Sequence, residues 1–150
     1  MGSYVNAHLD ADERVVHEAR IHWIVYLGPC ILIGAGAVLA IPGVPGLSVY
    51  GGLAVLGVGL LSALVAWVRQ VTSEFAVTTR RVIVKTGFLS RRTIELNMSK
   101  VESIQVDQGI IARILNYGTI TVIGTGGTKE PFAMIEDPLA FRHAVQREQG

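Results

Sequence analysis

From Ile21 to Val68 the chain carries no Asp, Glu, Lys or Arg, an interval of 48 residues. It is broken once, by Ile41-Pro42-Gly43-Val44-Pro45-Gly46. Each half is long enough to cross a hydrocarbon core of roughly 30 Å at about 1.5 Å per residue. The interval therefore reads as a transmembrane helical hairpin, with spans over about residues 21–41 and 47–68. Two strands would leave backbone N–H and C=O groups unpaired in lipid, whereas helices pair them internally. The Pro and Gly cluster ends the first helix and lets the second begin.

Charge separates what lies on either side. Residues 1–20 hold Arg14 and Arg20 against Asp10, Asp12, Glu13 and Glu18, a net of −2, whereas residues 69–150 carry a net of +3. Three regions follow: an N-terminal segment (1–20), the hairpin (21–68) and a domain (69–150). Arg14 and Arg20 flank the first span, and Arg69, Arg80, Arg81 and Lys85 follow the second, while the turn between has no cation. Cations are retained on the cytoplasmic side, so both termini are expected there in a multi-pass arrangement. Trp23 and Trp67 stand at the charged ends of the spans, where amphipathic rings favour the interface. His22 reads as an interfacial residue. A cleaved leader is not expected, because the first apolar run exceeds the roughly 7–15 residues of a signal peptide and a second span follows at once.

Cys30 is the single cysteine and falls within the first span, so it reads as a small packing residue. Gly59, Ser62, Ala63 and Ala66 put small side chains three and four residues apart on the second helix. Such a stripe admits another helix closely, either the first helix of the same hairpin or a second copy. No Asp, Glu, Lys or Arg lies inside the spans and His22 stands at an end, so nothing marks an ion path.

Past Arg69 the pattern becomes short runs rich in Val, Ile and Thr: 74–78, 81–86, 92–97, 101–107, 118–124 and 130–134. Alternation within them and Gly between them predict a small antiparallel barrel or sandwich. Two helical pieces interrupt. Residues 109–115 carry apolar side chains at 110, 111, 114 and 115, one face of a helix. Asp137-Pro138 offers an N-cap and a first-turn proline, and Phe141, Ala144 and Val145 then form a core-facing stripe.

Several features occur together in an order that resembles the bacterial pleckstrin-homology-like domain of small membrane proteins. They are Thr79-Arg80 before a strand, Lys85-Thr86-Gly87 at its end, and the run Val101 to Gln108. Arg113, Tyr117-Gly118-Thr119 and Asp137-Pro138 complete them. The resemblance covers roughly residues 72–147 and the Trp23 region suits it. It implies an α+β membrane protein: a two-helix transmembrane hairpin followed by a PH-like curled antiparallel β-barrel or sandwich, with a C-terminal capping helix. It also implies a prokaryotic plasma (inner) membrane and no catalysis. Asp10-Ala11-Asp12-Glu13 has capping-box spacing, which would start a helix. The resemblance instead implies an extended segment over residues 13–20 that joins the sheet, and that reading is preferred.

Candidate chemistry is sparse. The cations Arg69, Arg80, Arg81, Lys85, Arg91 and Arg92, with Lys100 as an extension, form a juxtamembrane cluster suited to anionic lipid headgroups, or serve only topology and solubility. Thr125-Gly126-Gly127-Thr128 lacks the spacing of a phosphate loop and reads as a plain turn. Asp10, Asp12 and Glu13 read as a solvated acidic turn rather than a cation site. The four histidines show no metal-ligand spacing, no serine lies in a GxSxG elbow, and no carboxylate pair is nominated. No cofactor and no metal are expected, and nucleic-acid binding lacks an exposed basic stripe with stacking aromatics.

The function expected is a non-enzymatic membrane protein displaying a cytoplasmic binding or assembly module. Its partners would be membrane lipids, with a homo-oligomer or a larger membrane protein as protein partner. An accessory subunit of a membrane enzyme or transporter is the alternative, and a membrane enzyme is the third reading.

Overall fold

The computed structural model describes residues 9, 12–42, 48–87 and 92–150, with Arg92 described by its backbone alone. Contacts divide the chain into a helical unit, Trp23–Gln70, and a sheet unit formed by Met1–His22 with Val71–Gly150.

In the helical unit a 3₁₀ turn, Trp23–Tyr26, leads into α1 (Leu27–Leu39), and α2 runs Val49–Thr72. By length and composition α2 is apolar enough to cross a membrane, and only 17% of its most apolar stretch is buried. The apolar helix Trp23–Leu39 is shorter. The spans read from sequence shift at both ends. Ile21 and His22 are drawn into the sheet unit, and α2 continues past Val68 through Arg69 to Thr72.

The two helices run antiparallel and meet through glycine. A Cβ on Gly52 would collide with the backbone of Ala40, and one on Gly36 with the backbone of Leu56. A Cβ on Gly59 would lie 2.8 Å from the backbone nitrogen of Ile33. Gly52, Gly59 and Ala66, seven residues apart, are the buried positions of α2, a spacing that keeps one side of a helix against its neighbour. At the opposite end of the pair the Tyr26 hydroxyl donates to Gln70 Oε1 at 2.6 Å. The large side chains, among them Ile31, Leu53, Leu60, Leu61, Leu64 and Trp67, lie outside.

The sheet unit holds two antiparallel sheets. The first has the order β1 (Val15–Ala19), β2 (Glu74–Thr78), β3 (Arg81–Thr86), β4 (Arg92–Asn97); the second has β5 (Val101–Asp107), β6 (Tyr117–Gly124), β7 (Lys129–Glu136). These are the runs predicted from alternation, with β7 longer at both ends. The segment 13–20 is extended, as the resemblance implies: Ala19 pairs with Phe75 and Val15 with Thr78. Beyond β1 the chain changes partner. The Glu136 N–H donates to Arg20 O at 2.9 Å and the His22 N–H to Met134 O at 2.7 Å, with Ile21 bridged to Ile135. The N-terminal run thereby stitches the edge of one sheet to the edge of the other.

Phe75, Val77, Val82 and Val84 share one face of the first sheet by register, and all are buried. Ala76 and Ile83 point the other way and are buried too, under Leu9 and Val15. A short helix, α3 (Ile110–Ile114), precedes β6, and α4 (Pro138–Gln149) closes the unit. Asp137 caps α4 by accepting from the Ala140 N–H at 3.3 Å, with Pro138 next in line. Phe141, Ala144 and Val145 enter the core as the stripe requires. The apolar face of α3 behaves differently: Ala112 is buried, while Ile110, Ile111 and Ile114 are turned outward.

Because Ala19 of β1 lies opposite Phe75 of β2, the whole helical unit is an insertion between two neighbouring strands. It stands in the place of a hairpin turn.

Candidate functional site

Strand direction decides where the cations of the sheet unit fall. Arg80 sits in the β2–β3 turn and Lys85 near the other end of β3, opposite Glu74. At about 3.3 Å per strand residue these two positions are roughly 17 Å apart. Lys85, and Arg92 opposite Thr86, lie at the end where the chain arrives through Glu74 and leaves through His22. Arg80 and Arg81 lie at the far end. The single cluster read from sequence is thus divided in two by the length of one strand. Arg91 lies outside the described residues. Arg69 is exposed in the last turn of α2, where a cation complements the helix dipole.

At the far end the cations are not equivalent. Arg80 is 55% exposed, its guanidinium 3.9 Å from the Asp12 carboxylate. Arg81 is 19% exposed and grips Glu13 with two parallel bonds, Nε to Oε1 at 2.9 Å and Nη2 to Oε2 at 2.6 Å. Its Nη1 donates to Glu95 Oε2 at 2.9 Å. Thr78, wholly buried, donates its hydroxyl proton to Glu13 Oε1 at 2.6 Å and accepts the Arg81 N–H at 3.0 Å. Glu13 is therefore no part of a solvated acidic turn. It is a buried carboxylate, held by a forked guanidinium and a hydroxyl, and it pins the residues before β1 to the β2–β3 turn. Sequence reasoning missed this lock. A carboxylate before a strand and an Arg after a turn are 68 residues apart, and only strand pairing brings them together.

At the near end Lys85 Nζ stands 3.7 Å from Glu74 Oε1, a cross-strand pair whose partners are each 18% exposed. The Thr125–Thr128 segment forms the β6–β7 turn, with Gly126 and Gly127 at positive φ. Gly124 N–H donates to Thr128 O and Gly127 N–H to Gly124 O, so a plain turn uses these groups internally. Of the stripe on α2, Gly59 and Ala66 are buried, while Ser62 and Ala63 are half-buried. The Ser62 hydroxyl donates to Gly59 O at 2.8 Å, within its own helix. Gly36 and Gly52 complete this contact and were missed, because the signal is a seven-residue spacing that needs a register between helices. Among the described residues no three His, Cys, Asp or Glu side chains converge as metal ligands would.

What this arrangement holds is two separated groups of cations and one internal ion-pair lock. A family model described as Bacterial PH domain matches residues 24–149, which takes in the helices and strands β2 to β7 but not β1. No curated protein and no solved structure matches the chain.

Proposed function

The chain belongs to the bacterial PH domain family, and from that premise we propose that it is a non-enzymatic integral membrane protein of a prokaryotic plasma membrane, presenting its sheet unit to the cytoplasm as a binding or assembly module. The observation that carries this reading is the helical unit turned inside out: glycines at the contact and large apolar side chains outside. Such a pair is suited to lipid, where there is no hydrophobic gain from burying Leu and close backbone approach holds helices together. Cations flanking both helices, and none in the turn between them, favour cytoplasmic termini.

Lipid contact falls to Lys85 and Arg92, at the end of the sheet unit where the chain arrives and leaves, and to Arg69 in the last turn of α2, each gaining about 1 kcal/mol beside anionic headgroups. Arg80 lies at the far end of β3 beside Asp12, and Arg81 is engaged in the lock. The alternative, an accessory subunit docked through Gly59, Ala63 and Ala66, is less favoured because Gly59 already meets α1.

Two measurements test the proposal. The full chain should remain in membranes after alkaline extraction, with a C-terminal label reached only after the membrane is opened. In vesicles containing anionic lipid, hydrogen exchange around residues 85–92 should slow relative to neutral vesicles, and Lys85→Ala with Arg92→Ala should abolish the difference. Release by alkaline extraction ends the membrane reading, and equal exchange in both lipids ends the headgroup role.

A further inference from the structure

The sheet unit carries an apolar patch that its own core does not use. Ile110, Ile111 and Ile114 on α3 are 82%, 67% and 77% exposed, and Met134 beside them is 42% exposed. With Tyr117 and Ala133, Ile110, Ile111 and Met134 line a groove of about 650 Å³. Three β-branched hydrophobes on one helical turn are costly to leave in water.

The patch adjoins the residue through which the chain leaves this unit. The His22 N–H is bonded to Met134 O at 2.7 Å, and the His22 ring stacks on Tyr117 with centroids 5.3 Å apart. Both partners line the groove. The next residue, Trp23, begins the apolar helical segment without any linker. Charge around the patch is mixed: Arg20 and Arg113 are exposed nearby, and so are Asp107 and Glu136. Any attraction this surface exerts is therefore apolar rather than electrostatic.

We propose that Ile110, Ile111 and Ile114, with Met134, form a membrane-seating wedge that inserts into the boundary between headgroups and acyl chains of the bilayer. This rests on the membrane reading above and adds a contact separate from the cationic one. Amphipathic helical surfaces bury their apolar face at that depth, and anchoring by the adjoining apolar segment removes most of the cost of bringing the patch to the lipid.

The test uses the full chain with Cys30→Ser and one new cysteine carrying an environment-sensitive fluorophore, at Ile111→Cys, Ile114→Cys or, at the opposite end of the unit, Thr125→Cys. The carriers are phosphatidylcholine vesicles with and without anionic lipid. Emission from 111 and 114 should be blue-shifted, quenched by lipid-borne spin labels and shielded from iodide, with the reverse at 125. The shift should not depend on the anionic fraction and should persist when the protein is diluted in lipid. Iodide reaching 111 and 114 as readily as 125, in vesicles that carry the protein on flotation, overturns the wedge and leaves the membrane reading standing. Shielding that disappears on dilution overturns it in favour of a second copy as occupant. A chain that does not float with vesicles overturns both.

Discussion

The helical and sheet units solve packing in opposite ways. In the helical unit the contact is made by positions with no side chain, Gly36, Gly52 and Gly59, and bulk lies outside. In the sheet unit bulk is inside, with Phe141, Ile120, Ile135 and the valines of β2 and β3 almost fully buried. The same residue types, Leu, Ile and Val, serve one unit as surface and the other as core. On the membrane reading proposed above, what differs is the solvent each surface is built for. Where water surrounds the unit, removing apolar area from it drives assembly. Where apolar side chains line the outside, close approach of backbones has to do so instead.

This contrast can be broken or sharpened by substitutions of opposite sense. The largest loss is expected in the sheet unit from Arg81→Ala, which strands a buried carboxylate at a cost of about 3–5 kcal/mol. Denaturant unfolding of the full chain should show it, and Glu13→Ala combined with Arg81→Ala should recover part of the stability. A double variant no better than Arg81→Ala would mean that the stranded carboxylate is not the source of the loss. Phe141→Ala should cost a similar amount, about 3–5 kcal/mol, because α4 plugs the core with that ring.

The helical unit should respond to added bulk. Gly52→Leu places atoms where the backbone of Ala40 stands and should cost about 1–3 kcal/mol or separate the helices outright. Cross-linking between cysteines at positions 26 and 70, whose side chains meet across the pair, would report it. Leu60→Ala, on the outer side, should leave that cross-link unchanged, and a large effect there would undo the contrast. The smallest effects belong to a helix cap and a long ion pair. Asp137→Ala should cost about 1 kcal/mol through the lost cap, and Glu74→Ala, which breaks the long Lys85 pair, less than about 1 kcal/mol.

Much of this was legible in the residues. Strands β2 to β7 announce themselves by alternation, and α4 by Asp137, Pro138 and the stripe at 141, 144 and 145. What stayed hidden depends on pairing across long sequence distance. Alternation puts Ile83 with Lys85 on the face opposite Val82 and Val84, yet Ile83 is buried there under Leu9 and Val15. Arg80 and Lys85 look like neighbours in one basic run, but an extended backbone carries them to opposite ends. The apolar face at 110, 111 and 114 looks like core, because periodicity reports that a face exists and not which way it turns.

Placing a two-helix segment between partnered strands has a consequence for biogenesis. The first strand is synthesised early but cannot mate until Glu74–Thr78 follows it out of the ribosome, and the intervening loop must close first. The Glu13–Arg81 clasp is formed later still. A nascent chain whose helices failed to settle would therefore expose an unmated strand edge and an unneutralised carboxylate, features that quality-control proteases are able to read. Completion of the sheet unit thus reports that the helical segment before it has been made.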